Sequence, residues 1–510
     1  MVTEKLLNSI NKFLPVALIS AAVSVLLYLL WYHYTLITFP WPIQYREGAI
    51  LLTTDLLLKG GNPYNLALQP YYANTYGLIY NLIVLPFAMI WGPTLLVHKT
   101  VAGFFTLFSL ALITFVLSRL KTPLKYLLPS LAILYAGLLF SKTSLAEPDS
   151  TGVFVFLLSV LIPLLMNFSV VSLGLSAFLV ALAFCIKPYF VVGCAVVALY
   201  FLFTRSYRKF FIYGALTAGF LALALVLLNH YLEAYTINVL FANYNDAGKL
   251  HSKASKIWGQ LGFVFYRDKF YLVTSLISIT AISLFKPPTR SSEETFRLCM
   301  VGCIVQLVIF IVILGKNSGA FATYYYQLSM PFVAVLSALA FTAIRNRIAL
   351  TFIQLSLVVA MVAIPGHFHS LRDEFGDNGL QWEKARELIS TSHNVLSSPA
   401  LAPLLIEKNL TVYDSGHTEA FDYGISNPGL IKDTLLPYTQ LKKKMFFYTI
   451  ADGISSEKFD LIMIDRKFSR WLLPLEPISK TYDYKGFLTL KMPHNHFLWQ
   501  IDIWEPKGRK

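Results

Sequence analysis

Charge is what this sequence has least of. Only 14% of its 510 residues are Asp, Glu, Lys or Arg, against roughly 25% in an average soluble chain, while 56% are hydrophobic and 15% aromatic. A chain this poor in charge cannot cover a water-facing surface of its own size, which excludes an ordinary soluble protein and leaves a polytopic membrane protein. Cysteine is scarce too. Cys185, Cys194, Cys299 and Cys303 all fall in apolar stretches, so no disulfide framework is implied. No internal repeat or low-complexity segment stands out. Acidic residues are rarest in the first part: residues 1–364 hold ten, Glu4, Glu47, Asp55, Glu147, Asp149, Glu233, Asp246, Asp268, Glu293 and Glu294.

The net charge of +14 is unevenly spread. From Pro365 onward 18 basic residues face 18 acidic ones, so the whole excess, 24 basic against 10 acidic, lies in residues 1–364. That is the distribution of topology signals and lipid head-group contacts, and nucleic acid is set aside as a partner. Lys5 and Lys12 precede an apolar run from Leu14 to about Ile37. The run is too long for a signal-peptide core and no small-residue cleavage site follows, so it reads as a retained first helix.

Runs long enough to cross about 30 Å of hydrocarbon occur at 14–37, 94–118, 125–141, 151–167, 170–186, 188–204, 210–229, 271–285, 297–314, 327–344 and 348–364. They predict about eleven transmembrane helices. The stretch 78–92 is apolar but short and holds Pro86, as expected of a helix lying in the interface. If it does not cross, the clusters Arg119/Lys121/Lys125, Arg205/Arg208/Lys209, Lys286/Arg290/Arg297 and Arg345/Arg347 fall on the same side as Lys5 and Lys12. The positive-inside rule then sets the N-terminus in the cytoplasm, and the chain is expected in the plasma (inner) membrane. Segments 38–93 and 230–270 and the tail face outward. Residues 1–364 thus read as a transmembrane module, and 365–510 as a soluble extracytoplasmic α/β domain with a helix over Gln381–Ser390 and strand-like runs at Leu410–Tyr413, Leu461–Ile464 and Leu488–Leu490.

On this topology seven of the ten acidic residues lie outside. Glu47, after Arg46, opens a helical stretch ended by Gly60-Gly61, whose Ile50, Leu51, Leu57 and Leu58 are expected on the membrane surface; Asp55 lies on the same stretch. Glu147 and Asp149 lie at an outer mouth between two crossings, where carboxylates are costly without a task or a partner. Two carboxylate sites on one face suit a general base plus a metal or orienting group, although Glu147 and Asp149 also fit as caps of a helix beginning at Thr151. Lys187, before Pro188 and Tyr189, is an isolated cation at the end of a crossing; it fits a snorkelling side chain or a clamp on a phosphate, with the tyrosine against an isoprenoid chain. The turn at 315–332 sets Lys316 and Asn317 beside Tyr324, Tyr325 and Tyr326, an aromatic belt or a site for phosphate or sugar.

Taken in order, Glu47, the Gly61-Asn62-Pro63-Tyr64 run, Asp149, Lys187-Pro188-Tyr189 and the Gly315–Tyr325 turn resemble the GT-C superfamily, integral-membrane glycosyltransferases that use polyprenyl-phosphate sugars, and within it the aminoarabinose- and protein-mannosyltransferase-like branch. The resemblance covers residues 1–364. It implies Glu47 and Asp149 as catalytic carboxylates and Lys187 as a contact to the donor phosphate, with Tyr189, Lys316, Tyr324 and Tyr325 nearby and Arg46, Asp55 and Glu147 in support. Many members have an acidic pair where this chain has Arg46-Glu47. A divalent cation, Mg or Mn, would draw on Asp149, His230 and His251, with Glu233 and Asp246 close in sequence. The partners implied are a polyprenyl-phosphate-linked sugar, an unidentified lipid, glycan or protein acceptor and membrane lipids, with transfer at the outer face. The rival readings are a flippase or transporter of lipid-linked sugars and an O-antigen ligase or polymerase.

Overall fold

The long apolar runs become helices because an isolated segment in hydrocarbon must satisfy its backbone internally. The computed structural model describes residues 2–140, 145–241, 289–314, 321–344, 346–368, 378–418, 436–465, 475–492 and 498–508. The first part contains α1 (Val2–Thr38), α2 (Glu47–Leu58), α3 (Ile79–Trp91), α4 (Leu95–Arg119), α5 (Leu124–Phe140), α6 (Asp149–Leu165), α7 (Val170–Ile186), α8 (Gly193–Phe203), α9 (Tyr207–Tyr231), α10 (Arg290–Leu314), α11 (Phe321–Ala343) and α12 (Arg347–Ala363). Every apolar run except 271–285, which lies outside the described residues, falls on one of them. Among the described residues Phe13–Thr38, Leu95–Arg119 and Tyr207–Tyr231 are long and apolar enough to cross a bilayer on their own, and α3 and α5 to α8 are shorter apolar helices. The run 188–204 is not one helix. A 3-10 turn over Pro188–Val192 precedes α8, because Pro188 has no N–H to extend the ladder of α7.

The helices share one core, in which Leu18, Val25, Leu29, Leu134, Phe156, Val160, Val196, Phe332 and Val335 are buried, while Leu27, Phe104, Phe211 and Val226 face outward, as lipid-facing positions should. The basic helix ends gather at one end of the bundle. Arg119 donates to the Leu165 carbonyl at 3.2 Å and the Lys209 ammonium lies over the Phe168 ring. Helix α6 runs from that end to Asp149 at the other.

The tail adds α13 (Asn378–Ser390), β1 (Val395–Ser397), α14 (Ala402–Glu407), α15 (Leu436–Ser455), β2 (Leu461–Asp465), α16 (Leu475–Thr481), β3 (Tyr482–Lys491) and β4 (Leu498–Pro506). The sheet order is β1-β2-β4-β3, with β1 and β2 parallel and the other pairs antiparallel. Successive residues of a strand point to opposite faces. Leu461 and Met463 therefore pack with Trp382 and Leu405, and Ile462 and Ile464 with Phe446 and Ile450 of α15. The expected helix and two of the three expected strands are found. Leu410–Tyr413 is irregular instead of a strand; Val412 and Tyr413 are buried by side-chain packing without a ladder partner.

The core on the first face of the sheet is not made by the tail alone. Trp41, Leu51, Leu52, Leu95 and Ala146 belong to it, Trp41 stacks on Trp382 with ring centroids 5.5 Å apart, and the Arg386 guanidinium covers Trp41. This corrects the expectation for α2. Ile50 and Leu51 are buried inside the protein, Ile50 against Tyr80, Val84 and Val101 of α3 and α4 and Leu51 against the tail.

Candidate active site

Three segments of the chain between α1 and α4 build one wall. Asn62 donates to the carbonyl of Tyr231, the last residue of α9, and accepts from the Tyr64 N–H, both at 2.9 Å. Tyr64 is fully buried and its hydroxyl donates to the Tyr76 carbonyl. Asn74 accepts from the Tyr76 N–H and donates to Thr53 of α2. The Gly61–Tyr64 run is thus a scaffold that fixes Tyr76. Gly77 completes it: its N–H donates to the Ile186 carbonyl at 3.0 Å, and a Cβ there would overlap the Cys185 carbonyl oxygen. Only glycine lets the loop cross the end of α7 this closely.

Lys187, the residue after α7, is therefore brought against Tyr76, its ammonium 4.3 Å from the ring centroid. It does not snorkel. It is buried, 3.0 and 3.2 Å from the two carboxylate oxygens of Asp149, and the Tyr189 hydroxyl donates to the same carboxylate at 2.9 Å. Asp149 is the first residue of α6, and the cation and the helix N-terminus beside it offset the cost of burying its carboxylate.

Glu47 sits two short loops away and is fully buried. One carboxylate oxygen accepts from the N–H groups of Ile43 and Gln44 at 2.6 and 3.1 Å, and the other from the N–H of Ala146 at 2.8 Å. Its two oxygens thereby tie the start of α2 to the segment that enters α6. Glu147, next to that tie, is also buried. Burial first, then the nearby Asp149 and Glu47, push its carboxyl well above the ordinary carboxylate range against the pull of Lys187 and Arg46. The Gln44 side chain, turned with its amide nitrogen inward, donates to Glu147. Arg46 stands at the edge, its Nε donating to the Tyr45 hydroxyl at 3.0 Å and its charge near Tyr76 and Glu147.

A further polar group comes from the tail. The turn Asp414–Thr418 carries His417, which is buried, accepts from the Thr75 N–H at Nδ1 over 3.4 Å, has its Nε2 3.2 Å from the Thr75 hydroxyl, and meets the Tyr76 ring edge to face at 4.9 Å. Burial, then Arg46 and Lys187, push its pKa well below the usual imidazole value. Gly416, at φ +89°, lets the turn lie against the Tyr45 carbonyl. His417, Tyr76 and Gln44 are absent from the sequence-derived set; the Asp-Ser-Gly-His turn was the one local signal for His417.

Glu47, Asp149, Lys187, Tyr189, Arg46 and Glu147 are thus brought together. Asp55 is not: it pairs with Lys59 one helical turn along α2, at 2.6 Å. His230 is exposed on α9 with its ring against Tyr231. Among the described residues no three His, Cys, Asp or Glu side chains converge to hold a metal ion, and the Asp149 oxygens are already engaged by Lys187 and Tyr189. The described residues therefore do not fit a divalent cation, and no step below passes through one. Lys316 and His251 lie outside the described residues, as do the side chains of Tyr324 and Tyr325.

No protein-family model matches the sequence, and no curated protein does. Solved structures do. The crystal structure of ArnT from Cupriavidus metallidurans bound to undecaprenyl phosphate is similar over 96% of this chain and 98% of its own, with a TM-score of 0.53 at 12% identity. The apo state of the same protein matches over 94% and 97%, with a TM-score of 0.50 and 12% identity. The similarity runs through the tail as well as the helices, and the fold is that of the ArnT structures.

Proposed function

We propose that this chain, with its GT-C-like, ArnT-type fold, is a membrane glycosyltransferase that moves a sugar from a polyprenyl-phosphate donor to an acceptor hydroxyl at the extracytoplasmic face. The observation that carries the reading is the meeting of Lys187 and Arg46 with three buried carboxylates where α2, α6, α7 and the tail converge. The neighbour's undecaprenyl phosphate supports the donor class. The gathering of basic helix ends at the opposite end of the bundle supports the side.

In the proposed step the acceptor oxygen bonds to the anomeric carbon, the bond from that carbon to the phosphate oxygen breaks, polyprenyl phosphate leaves, and the hydroxyl proton passes to a carboxylate. Glu147 is the proposed acceptor, since a carboxyl raised above the ordinary range is a stronger base than an ordinary one. Lys187 and Arg46 offset the charge that develops on the leaving phosphate. Asp149 and Tyr189 position Lys187, and Glu47 holds the two loops in register through backbone N–H groups.

The test is to incubate the purified protein in lipid nanodiscs with a panel of polyprenyl-phosphate sugars and measure released polyprenyl phosphate. Release that needs an acceptor supports the transferase. Movement of donor across the bilayer without cleavage would favour a transporter of lipid-linked sugars.

A further inference from the structure

Helix α15 carries an apolar stripe that none of the described residues covers. Leu441, Met445 and Tyr448, at spacings of four and three, are 53%, 53% and 62% exposed, while Phe446, Ile450 and Ile454 of the same helix are buried against the sheet. At 3.6 residues per turn the three exposed side chains form one line, flanked on either side by Lys442 and Lys444. The Lys444 ammonium lies over the Tyr448 ring. An apolar line edged by lysines is the pattern of a helix that lies in a membrane interface.

The level of this helix follows from its contacts. Lys442 donates to the Ala67 carbonyl at 3.2 Å, and Tyr71 packs on Phe446 with centroids 5.0 Å apart. The stretch that holds Ala67 is bound through Asn62 to the carbonyl of Tyr231, the last residue of a membrane-spanning helix. The N-terminal half of α15 therefore stands at the height where α9 leaves the bilayer.

We infer that α15 docks on the bilayer, its Leu441, Met445 and Tyr448 entering the head-group region of an anionic leaflet and Lys442 and Lys444 facing lipid phosphates. The tail is then held by the lipid surface as well as by its shared core. Partitioning of three such side chains adds to the attraction of the lysines for an anionic surface. This inference does not depend on the sugar transfer, and it holds or fails with the inferred position of α15 alone.

The experiment uses the full chain in nanodiscs of phosphatidylcholine with 30 or 0 mol% phosphatidylglycerol, roughly the range over which surface charge acts. Met445→Cys and, as a control on the same domain, Lys458→Cys are labelled with an environment-sensitive fluorophore and read with head-group spin-labelled lipid. Quenching at 445 several-fold stronger than at 458, falling in the discs without phosphatidylglycerol and in K442E/K444E, is the expected result. Equal quenching at the two positions would overturn the inference. So would Met445→Cys chains that cross-link in pairs without lipid quenching, which would give the stripe to a second copy.

Discussion

Lys187 and Asp149 lie 38 positions apart in the chain and form a buried ion pair, with the ammonium within 3.2 Å of both carboxylate oxygens. The pair joins the end of α7 to the start of α6, so it fixes the geometry of the site and supplies one of its two cations at once. A solvated pair of this kind would matter little. A buried one leaves an uncompensated charge when either partner is lost.

Lys187→Met is therefore expected to destabilise the protein by about 3–5 kcal/mol, more than the loss of a snorkelling lysine. Asp149→Asn in the same chain should recover part of that loss, with a coupling energy of about 0.5–3 kcal/mol. Denaturation of the two single variants and the double variant in detergent measures it; additive losses would mean that the pair is not a unit. In the double variant, affinity for the lipid donor should still fall, by about 10- to 150-fold for one charge-assisted contact.

Glu47 and Glu147 should separate. Glu47→Gln turns an amide NH2 toward a backbone N–H that the carboxylate accepted from, so stability and transfer fall together, by about 1.5–3 kcal/mol for one such bond. Glu147→Gln keeps the size of a buried side chain whose carboxyl is raised above its ordinary range, so stability should not fall while single-turnover transfer drops about 10²–10⁴-fold. A Glu147→Gln enzyme with full activity would return the base to Asp149 or Glu47.

The pH dependence of stability tests Glu147 independently of activity. Its folded pKa lies above the ordinary 4.5, so its contribution is complete below that value and is lost as pH rises through the raised pKa. Glu147→Gln has no such loss. The difference in Tm between the variant and the wild type should therefore grow in the variant's favour as pH rises above the ordinary carboxylate range, and a constant difference would mean that the carboxyl is not raised.

His417 titrates the other way. Its folded pKa lies well below 6.5, so its contribution is intact above 6.5 and is lost as pH falls. Acidification from pH 7 to 5 should lower the Tm of the wild type more than that of His417→Gln. Because His417 acts through Thr75 and Tyr76, His417→Ala and Thr75→Val should each reduce transfer, and the double variant should lose no more than the worse single one. Independent, multiplicative losses would remove His417 from the site.

Hydropathy made the bundle legible, because each helix in lipid must be apolar along its own length, and scarcity of acidic residues made Glu47, Glu147 and Asp149 conspicuous. The order of motifs gave Lys187 and Tyr189. What stayed hidden depends on non-local pairing. The Thr75–His417 contact spans 342 positions, the third N–H on Glu47 comes from Ala146, 99 residues on, and no side-chain pattern marks a backbone donor. The strand at 395–397 is three residues long and exists because Leu461 to Met463 lie beside it, whereas the equally apolar Leu410–Tyr413 has no such neighbour.

The stacking of Trp41 on Trp382 carries a consequence for synthesis. Trp41, Leu51 and Leu52 leave the ribosome first, and the residues that bury them, from Trp382 to Ile503, leave last. At about 5–20 residues per second the early side chains wait on the order of 15 to 70 s for their partners. Throughout that interval a bulky indole and two leucines stand uncovered at the membrane boundary, so a ribosome stalled before the tail, or a nonsense codon there, releases a helical bundle with half of a core exposed and ready to aggregate.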